Sequence, residues 1–240
     1  MLRAVTFDFW NTLFVDLSGH ERERRRADVL QAELKRAGLH HPVAVIDEAL
    51  RTGFGFFDRV WLLEQRTPSC AEIVDSILSA LSAQLPVDAQ DRIVEEFERM
   101  VLDLPPKPMA GAREIVQRLR QNYRLAVICD TGYSPGWALR EILERHRMLG
   151  GFEYLFFSNE HGMSKPDVRV FQRTLGELGA RAREAAHVGD IQRTDIAGAQ
   201  AAGMTAVHFI GANHRDEPHS SADAIVRHFN ELPRALRKLA

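Results

Sequence analysis

Alternating strand and helix patterns in the second half of the chain restrict the fold more than any other feature. After residue 111, short apolar runs typical of buried strands alternate with segments whose apolar residues recur at helical spacing. Such alternation with short loops predicts βαβ units and a parallel sheet. The predicted strands are Arg124–Cys129, Tyr154–Phe157, Ala185–Val188 and Thr205–Ile210, and the predicted helices are Ala112–Gln121, Pro135–Arg147, Val168–Leu178, Asp195–Ala202 and Leu232–Leu239.

One further strand is predicted at the start of the chain, far from the others. The apolar run Leu2–Phe9 is typical of a buried strand, and we expect it to join the parallel sheet. Between it and a proline-rich stretch at 104–108, the pattern is helical. The helical spacing covers Arg24–Ala37, Val43–Leu50, Ala71–Leu81 and Asp88–Met100. We therefore predict an α/β core of residues 1–14 and 104–240, with an inserted all-α cap of residues 15–103.

Composition excludes several classes of protein. The formal net charge of the 240 residues is -2, so no basic field favours nucleic acid or an anionic membrane surface. No stretch approaches the roughly 18 apolar residues of a membrane helix. Two cysteines, Cys70 and Cys129, form no disulfide framework, and the N-terminus lacks a signal-peptide pattern. These features predict a cytoplasmic protein, and they leave its oligomeric state open.

Four polar segments follow or flank the predicted strands. They are FDFWNTL at 7–13, ICDTG at 128–132, SKPD at 164–167 and HVGDIQRTDIAGAQAAGM at 187–204. The carboxyl ends of parallel strands meet at one edge of a sheet, where open α/β sheets bind ligands. The four segments are therefore predicted to form one site.

The first and third segments supply a nucleophile and a cation. Asp8 can attack phosphorus and form an acyl phosphate, which divides a difficult displacement into two steps. Backbone N–H groups in the turn containing Asn11 and Thr12 are suited to binding a phosphate. The Lys165 ammonium can neutralise both the carboxylate and a transferring phosphoryl group. The simpler alternative for Asp8 is an aspartate that caps a turn at the end of a strand.

The second segment offers two candidates for a phosphate-binding donor. Cys129 fits if the apolar run alone sets the end of the strand, whereas Thr131, beside Gly132, carries the better donor because a thiol donates weakly. We expect Thr131 to be the donor. Cys129 as an ordinary buried core residue is an equally good interpretation.

The fourth segment contributes two more carboxylates. Asp190 ends a strand and Asp195 begins a helix, so both are expected near Asp8. Hard oxygen ligands in such a group are those that Mg²⁺ prefers, and the backbone carbonyl of Trp10 is a further candidate ligand. Asp195 also fits the role of a helix N-cap, which does not require contact with the metal.

Taken together, the four segments resemble those of the haloacid dehalogenase-like hydrolases, over nearly the whole chain. The resemblance implies a Rossmann-like core, a helical cap inserted after the first segment, Mg²⁺ and a small phosphorylated substrate. In phosphatases of this superfamily the position of Trp10 holds an aspartate, which protonates the leaving group and later activates water. An indole cannot exchange a proton near neutral pH.

Three functions compete on this basis. The first is a Mg²⁺-dependent phosphohydrolase, impaired or specialised by Trp10. The second is a metal-independent hydrolase similar to the 2-haloacid dehalogenases, whose branch has an aromatic tyrosine at this position but lacks the pair formed here by Asp190 and Asp195. The third is a binding or regulatory protein with little turnover. The cap residues expected to face the substrate, unless they belong to its core, are Arg25, Phe56, Arg59 and Trp61.

Overall fold

The computed structural model describes residues 1–239, which fold around a six-stranded parallel sheet. The strand order is β5-β4-β1-β6-β7-β8, and every neighbouring pair is parallel. The strands are β1 Ala4–Phe7, β2 Phe14–Val15, β3 Lys107–Pro108, β4 Arg124–Cys129, β5 Tyr154–Phe157, β6 Ala185–Gly189, β7 Thr205–Phe209 and β8 Ala224–Val226. The helices are α1 Gly19–Arg36, α2 Val43–Glu64, α3 Cys70–Ala80, α4 Val87–Asp103, α5 Ala112–Leu119, α6 Gly136–Arg145, α7 Ser158–His161, α8 Val168–Glu177, α9 Ala197–Ala201 and α10 Leu232–Leu239.

Strand β1 lies at the centre of the sheet, between β4 and β6. The chain continues from β4 to β5 on one side and from β6 to β8 on the other, so the direction of winding reverses at β1. Ligands of open α/β sheets bind at such a reversal, outside the carboxyl ends of the strands. The residue after β1 is Asp8, which therefore occupies the middle of that edge.

The core of the sheet is apolar on both faces because helices cover both. Val5 and Phe7 of β1 pack into the cluster beneath α5, α6 and α10, whereas Ala4 packs into the cluster beneath α8 and α9. Alternate residues of a strand point to opposite faces, which explains why a fully buried strand is nearly continuous in apolar residues.

Helices α1 to α4 form a separate helical segment, residues 19–103, with its own apolar cluster. The segment is connected to the sheet through β2 and β3, which pair antiparallel, with Val15 opposite Lys107. The predicted helical content of this region agrees with the structure, while the division into a core and a cap stays a prediction. Ala240, the last residue assigned to that core, lies outside the described residues.

The predicted α/β class with a mostly parallel sheet is confirmed, and two local differences have simple reasons. Strands β2, β3 and β8 are two or three residues long, too short to show a periodic pattern. The helix predicted to begin at Asp195 starts with a π-helical turn, Gln192–Ile196, before α9. Such turns occur frequently at functional sites, and here the turn brings the Asp195 carboxylate back to the Ile191 N–H at 3.0 Å.

No helix within residues 1–239 is long and apolar enough to cross a membrane.

Candidate active site

A cavity of about 330 Å³ lies between the carboxyl edge of the sheet and the helical segment. Its floor comes from residues that follow the strands, and its opposite wall comes from helices α1 and α2. The lining residues are Asp8, Trp10, Asn11, Asp16, Gly19, Arg22, Glu23, Arg26, Phe54, Phe57, Trp61, Asp130, Gly132, Tyr133, Ser134, Lys165, Asp190, Ile191, Thr194 and Asp195.

Lys165 links the acidic residues of the floor. Its buried Nζ donates to Asp8 Oδ1 at 2.5 Å, to Asp195 Oδ1 at 2.7 Å and to the backbone carbonyl of Ile128 at 3.1 Å. An ammonium has three protons, so these three acceptors fix its position. Burial lowers the pKa of Lys165, but the charges of Asp195 and Asp8 outweigh burial and hold the pKa well above its usual value.

Asp8, Asp190 and Asp195 form a buried cluster in which one ligand atom from each lies within 4.8 Å of the others. Burial raises the pKa of Asp8, and the charges of Asp195 and Asp190 raise it further, against Lys165. Burial and the charge of Asp195 raise the pKa of Asp190 to about 7. Burial also acts to raise the pKa of Asp195, but Lys165 and His187 together hold it well below its usual range.

The charges of this cluster do not balance within the protein. If all three carboxylates ionise, one ammonium leaves two negative charges unbalanced in a buried space, and this repulsion helps to raise the pKa values of Asp8 and Asp190. Three hard oxygen donors with such an excess fit a divalent cation such as Mg²⁺. Asp8 and Asp190 are the better candidates for direct ligands, since both Asp195 oxygens already accept hydrogen bonds, Oδ1 from Lys165 and Oδ2 from Ile191.

His187 positions Asp195, a role that the sequence did not reveal. Thr6 of β1 and His187 of β6 are register partners, and Thr6 Oγ1 lies 2.7 Å from His187 Nδ1. The other ring nitrogen, Nε2, lies 3.0 Å from Asp195 Oδ1. Burial lowers the pKa of His187, so the ring is neutral, accepts from Thr6 and donates to Asp195. A histidine inside an otherwise apolar strand was the available signal.

A glycine beside Asp190 makes this arrangement possible. A Cβ at Gly189 would lie 2.3 Å from Cγ of Asp195, far closer than two carbon atoms can approach. Only glycine at this position leaves room for the Asp195 carboxylate against the end of β6.

The structure places the predicted residues of the second segment, at the end of β4 and just after it, in different environments. Gly132 lines the cavity, as does Asp130, which no sequence pattern indicated. The Thr131 hydroxyl is buried against Ser158 Oγ at 3.0 Å and Asn159 Oδ1 at 3.0 Å. Its role as a phosphate donor therefore stays a prediction without geometric support. Burial raises the pKa of Cys129 well above its usual value, which keeps the thiol protonated within the core.

Asp130 joins the floor of the cavity to the helical segment. Its Oδ1 accepts from the backbone N–H of Lys165 at 3.0 Å, and its Oδ2 accepts from Trp61 Nε1 at 2.9 Å. Burial raises its pKa. Asp130 thus contributes an ionisable carboxyl group to the cavity, whereas the side chain of Trp10 does not ionise.

In the turn after β1, Trp10 and Asn11 line the cavity, while Thr12 is fully buried beneath it. The Trp10 indole packs edge-to-face on Phe9, with ring centroids 5.1 Å apart. Asn11 has φ 54°, and its N–H donates to the carbonyl of Phe14 at 2.6 Å. That N–H is therefore used within the turn, so its contact with a phosphate also stays a prediction.

Of the four cap residues expected to face the substrate, Trp61 lines the cavity. Arg25 pairs with Asp103 at 2.6 Å, and the Arg59 guanidinium lies 5.4 Å from the Phe56 ring centroid. The helical faces that do contribute to the cavity present Arg22 and Arg26 from α1, and Phe54 and Phe57 from α2.

Comparison with known proteins identifies the family. The family model of haloacid dehalogenase-like hydrolases matches residues 2–203. The chain belongs to this family. The hydrolase predicted from the four segments is thereby confirmed, and Asp8, Lys165 and the Asp190–Asp195 pair all lie within the matched residues.

Curated relatives of this hydrolase include phosphatases from archaea. It is 36% identical over 225 residues to a glyceraldehyde 3-phosphate phosphatase of Methanopyrus kandleri, covering 93% of this chain and 91% of that protein. It is 35% identical over 104 residues to the protein of that name from Pyrococcus abyssi, covering 43% of this chain and 42% of that one. The chain spans about 38% to 57% of the length of the first curated relatives that it matches.

Solved structures of other family members share the fold. A 2-haloacid dehalogenase from Pseudomonas syringae pv. Tomato DC3000 matches the whole of this hydrolase with a TM-score of 0.75 and 23% identity. At that identity the likeness concerns the fold alone.

Proposed function

We propose that this hydrolase is a Mg²⁺-dependent phosphatase that acts on a small phosphorylated metabolite through an aspartyl phosphate at Asp8. The observation that carries the proposal is the contact of Lys165 with both Asp8 and Asp195, in a cluster of three carboxylates that one ammonium does not balance. That charge excess favours a metal-dependent reaction over the metal-independent displacement of a 2-haloacid dehalogenase. The relatives named as phosphatases support the same choice.

The reaction follows from the groups around Asp8. Its carboxylate attacks phosphorus as the bond to the leaving oxygen breaks, and Lys165 offsets the charge of the nucleophile. A bound Mg²⁺ would be held by Asp8, Asp190 and the Trp10 carbonyl, and would neutralise phosphoryl oxygens. Water then attacks phosphorus in the acyl phosphate, which releases phosphate and regenerates the Asp8 carboxylate. Trp10 supplies no proton in the first step and no base in the second.

Hydrolysis of an aryl phosphate tests the proposal. p-Nitrophenyl phosphate is a suitable substrate because its leaving group needs little protonation. We expect the metal-stripped protein to release p-nitrophenol from it only after Mg²⁺ is restored. Asp8→Asn should be inactive, whereas Asp88→Asn, at an exposed position in α4, should behave as the wild type.

Two other results would replace the proposal. Chloride release from 2-chloropropionate without metal would identify a dehalogenase. Mg²⁺ and phosphate binding without turnover of any aryl phosphate would identify a binding protein.

The raised pKa of Asp190 predicts how pH affects metal binding. Because its folded-state pKa of about 7 exceeds the usual 3.8, the folded protein holds a proton that the unfolded chain releases. The metal-free protein should therefore lose stability as pH rises from about 4 to about 7 through this group. Mg²⁺ needs the ionised carboxylate, so it should raise Tm more at about pH 8.5 than at about pH 5.5.

Calorimetric unfolding with and without MgCl₂ at both pH values measures this difference. Asp190→Asn should reduce the dependence on pH, leaving the part due to Asp8, and should remove most of the stabilisation by Mg²⁺, while Asp88→Asn retains both. Equal increments of Tm at the two pH values in the wild type would contradict the assignment of Asp190 as a ligand.

A further inference from the structure

Arg26 of helix α1 is a buried cation that has no carboxylate at ion-pair distance among residues 1–239. The residue is 5% exposed, and among residues 1–239 its Nε has no hydrogen-bond partner. The guanidinium carbon lies 4.1 Å from the Tyr133 ring centroid and 5.9 Å from the Phe54 and Phe97 centroids. Aromatic faces attract a cation, but they accept none of its five N–H groups as a carboxylate does.

The neighbouring arginines show that this arrangement is particular to Arg26. Arg22, one turn earlier, is equally buried, yet it donates to the carbonyl of Leu104 at 2.6 Å and pairs with Asp16. Arg25 pairs with Asp103. Contacts within the fold therefore explain Arg22 and Arg25, whereas Arg26 has only aromatic rings as close partners, which leaves its N–H groups suited to an external anion.

Arg26 lines the cavity that contains Asp8 and Lys165. Tyr133, whose ring it covers, also lines the cavity, and the Tyr133 hydroxyl is buried without a hydrogen-bond partner among residues 1–239. Both residues that carry these unpaired donors therefore border the same cavity as Asp8. A cavity of about 330 Å³ has the size of a site for a small molecule.

We propose that Arg26 and Tyr133 bind a second anionic group of the substrate, which makes the substrate a small phosphorylated carboxylic acid. This inference rests on the proposed phosphatase function, since it places the phosphoryl group beside Asp8 and Lys165. A carboxylate fits better than a second phosphate because Asp16, Glu23 and Asp130 also line the cavity and disfavour additional negative charge. A planar guanidinium can hold a carboxylate through two parallel hydrogen bonds.

Binding of inert phosphonates tests the proposal without turnover. The matched ligands are 3-phosphonopropionate, which carries a carboxylate, and propylphosphonate, which does not; propane-1,3-bisphosphonate provides the arm with a second phosphonate. By calorimetry with Mg²⁺, the wild type should bind 3-phosphonopropionate about 10- to 100-fold more tightly than propylphosphonate. Tighter binding of the bisphosphonate than of the carboxylate would overturn the choice of a carboxylic acid.

Arg26→Gln removes the charge and keeps most of the bulk. It should bring the affinities for the carboxylate and the plain phosphonate within about twofold of each other, by weakening only the former. Arg25→Gln, the adjacent position, should retain the wild-type preference. If Arg26→Gln does not fold, Tyr133→Phe removes only the hydroxyl and should reduce the preference about 3- to 10-fold.

The outcomes separate this inference from the proposed function. If propylphosphonate and 3-phosphonopropionate bind the wild type equally, the second anion site is absent although the phosphate site stands. If none of the three phosphonates binds in the presence of Mg²⁺, the phosphatase proposal itself fails.

Discussion

Trp10→Asp should accelerate the turnover of alkyl phosphates, because it places a carboxyl group where the wild type has an indole that exchanges no proton. Assistance from a general acid or base is typically worth about 10²–10⁴-fold, and the gain should fall in or below this range. In the wild type, kcat/KM should decrease steeply as the pKa of the leaving group rises. The variant should show a flatter dependence across a series of aryl and alkyl phosphates.

The same substitution should change the second half of the reaction. Without a base at position 10, the phosphorylated Asp8 should accumulate in the wild type, and rapid-quench measurements with an aryl phosphate should reveal a burst. The burst should shrink in Trp10→Asp because water attacks the acyl phosphate faster.

Trp10→Asn is the matched control, since it removes the same packing on Phe9 without adding an ionisable group. The absence of a burst in the wild type, together with no gain in Trp10→Asp, would falsify the claim that Trp10 limits this enzyme. If kcat/KM of the wild type does not depend on the pKa of the leaving group, another group supplies the proton. Asp130 is then the candidate, because it is a further carboxyl group in the cavity.

Asp8→Asn should lower activity by about 10⁴-fold or more, because an amide does not replace the nucleophile. It should also stabilise the metal-free protein, by about 0.5–2 kcal/mol, since it removes one of three like charges from a buried cluster. Calorimetric unfolding and single-turnover kinetics measure the two effects on one preparation.

Lys165→Met supplies the contrast for this prediction. It should abolish activity too, but it leaves three buried carboxylates without their cation and should cost about 3–5 kcal/mol. Equal destabilisation by the two substitutions would show that Asp8 is held as a structural ion pair rather than as a strained nucleophile.

The residues that the sequence predicted correctly as neighbours are those whose positions depend on strand order alone. Asp8, Lys165, Asp190 and Asp195 follow or flank strands, and parallel strands bring their carboxyl ends together whatever the details of packing. The family resemblance added the chemistry, but the proximity of these four residues followed already from the alternation of strands and helices.

The positions of other site residues depend on backbone and side-chain directions that a sequence pattern does not specify. The apolar run of β4 ends at Cys129, and which of the next residues faces the cavity is set by the direction of the backbone after the strand. In α1, four arginines lie within Arg22–Arg26, so no apolar spacing shows which of them faces inward. His187, which positions Asp195, is itself held by Thr6, a partner 181 positions away that only the strand register identifies.

The short ladder of β2 and β3 restricts how the protein can open. The chain passes from sheet to helices beside Phe14–Val15 and returns beside Lys107–Pro108, and these two crossings are hydrogen-bonded to each other. We therefore expect the two crossings to act as one pivot, about which the helical segment rotates more easily than it moves in other directions. Because Arg26, Phe54 and Trp61 all travel with that rotation, a single opening step that separates Trp61 from Asp130 would expose Asp8 and release product.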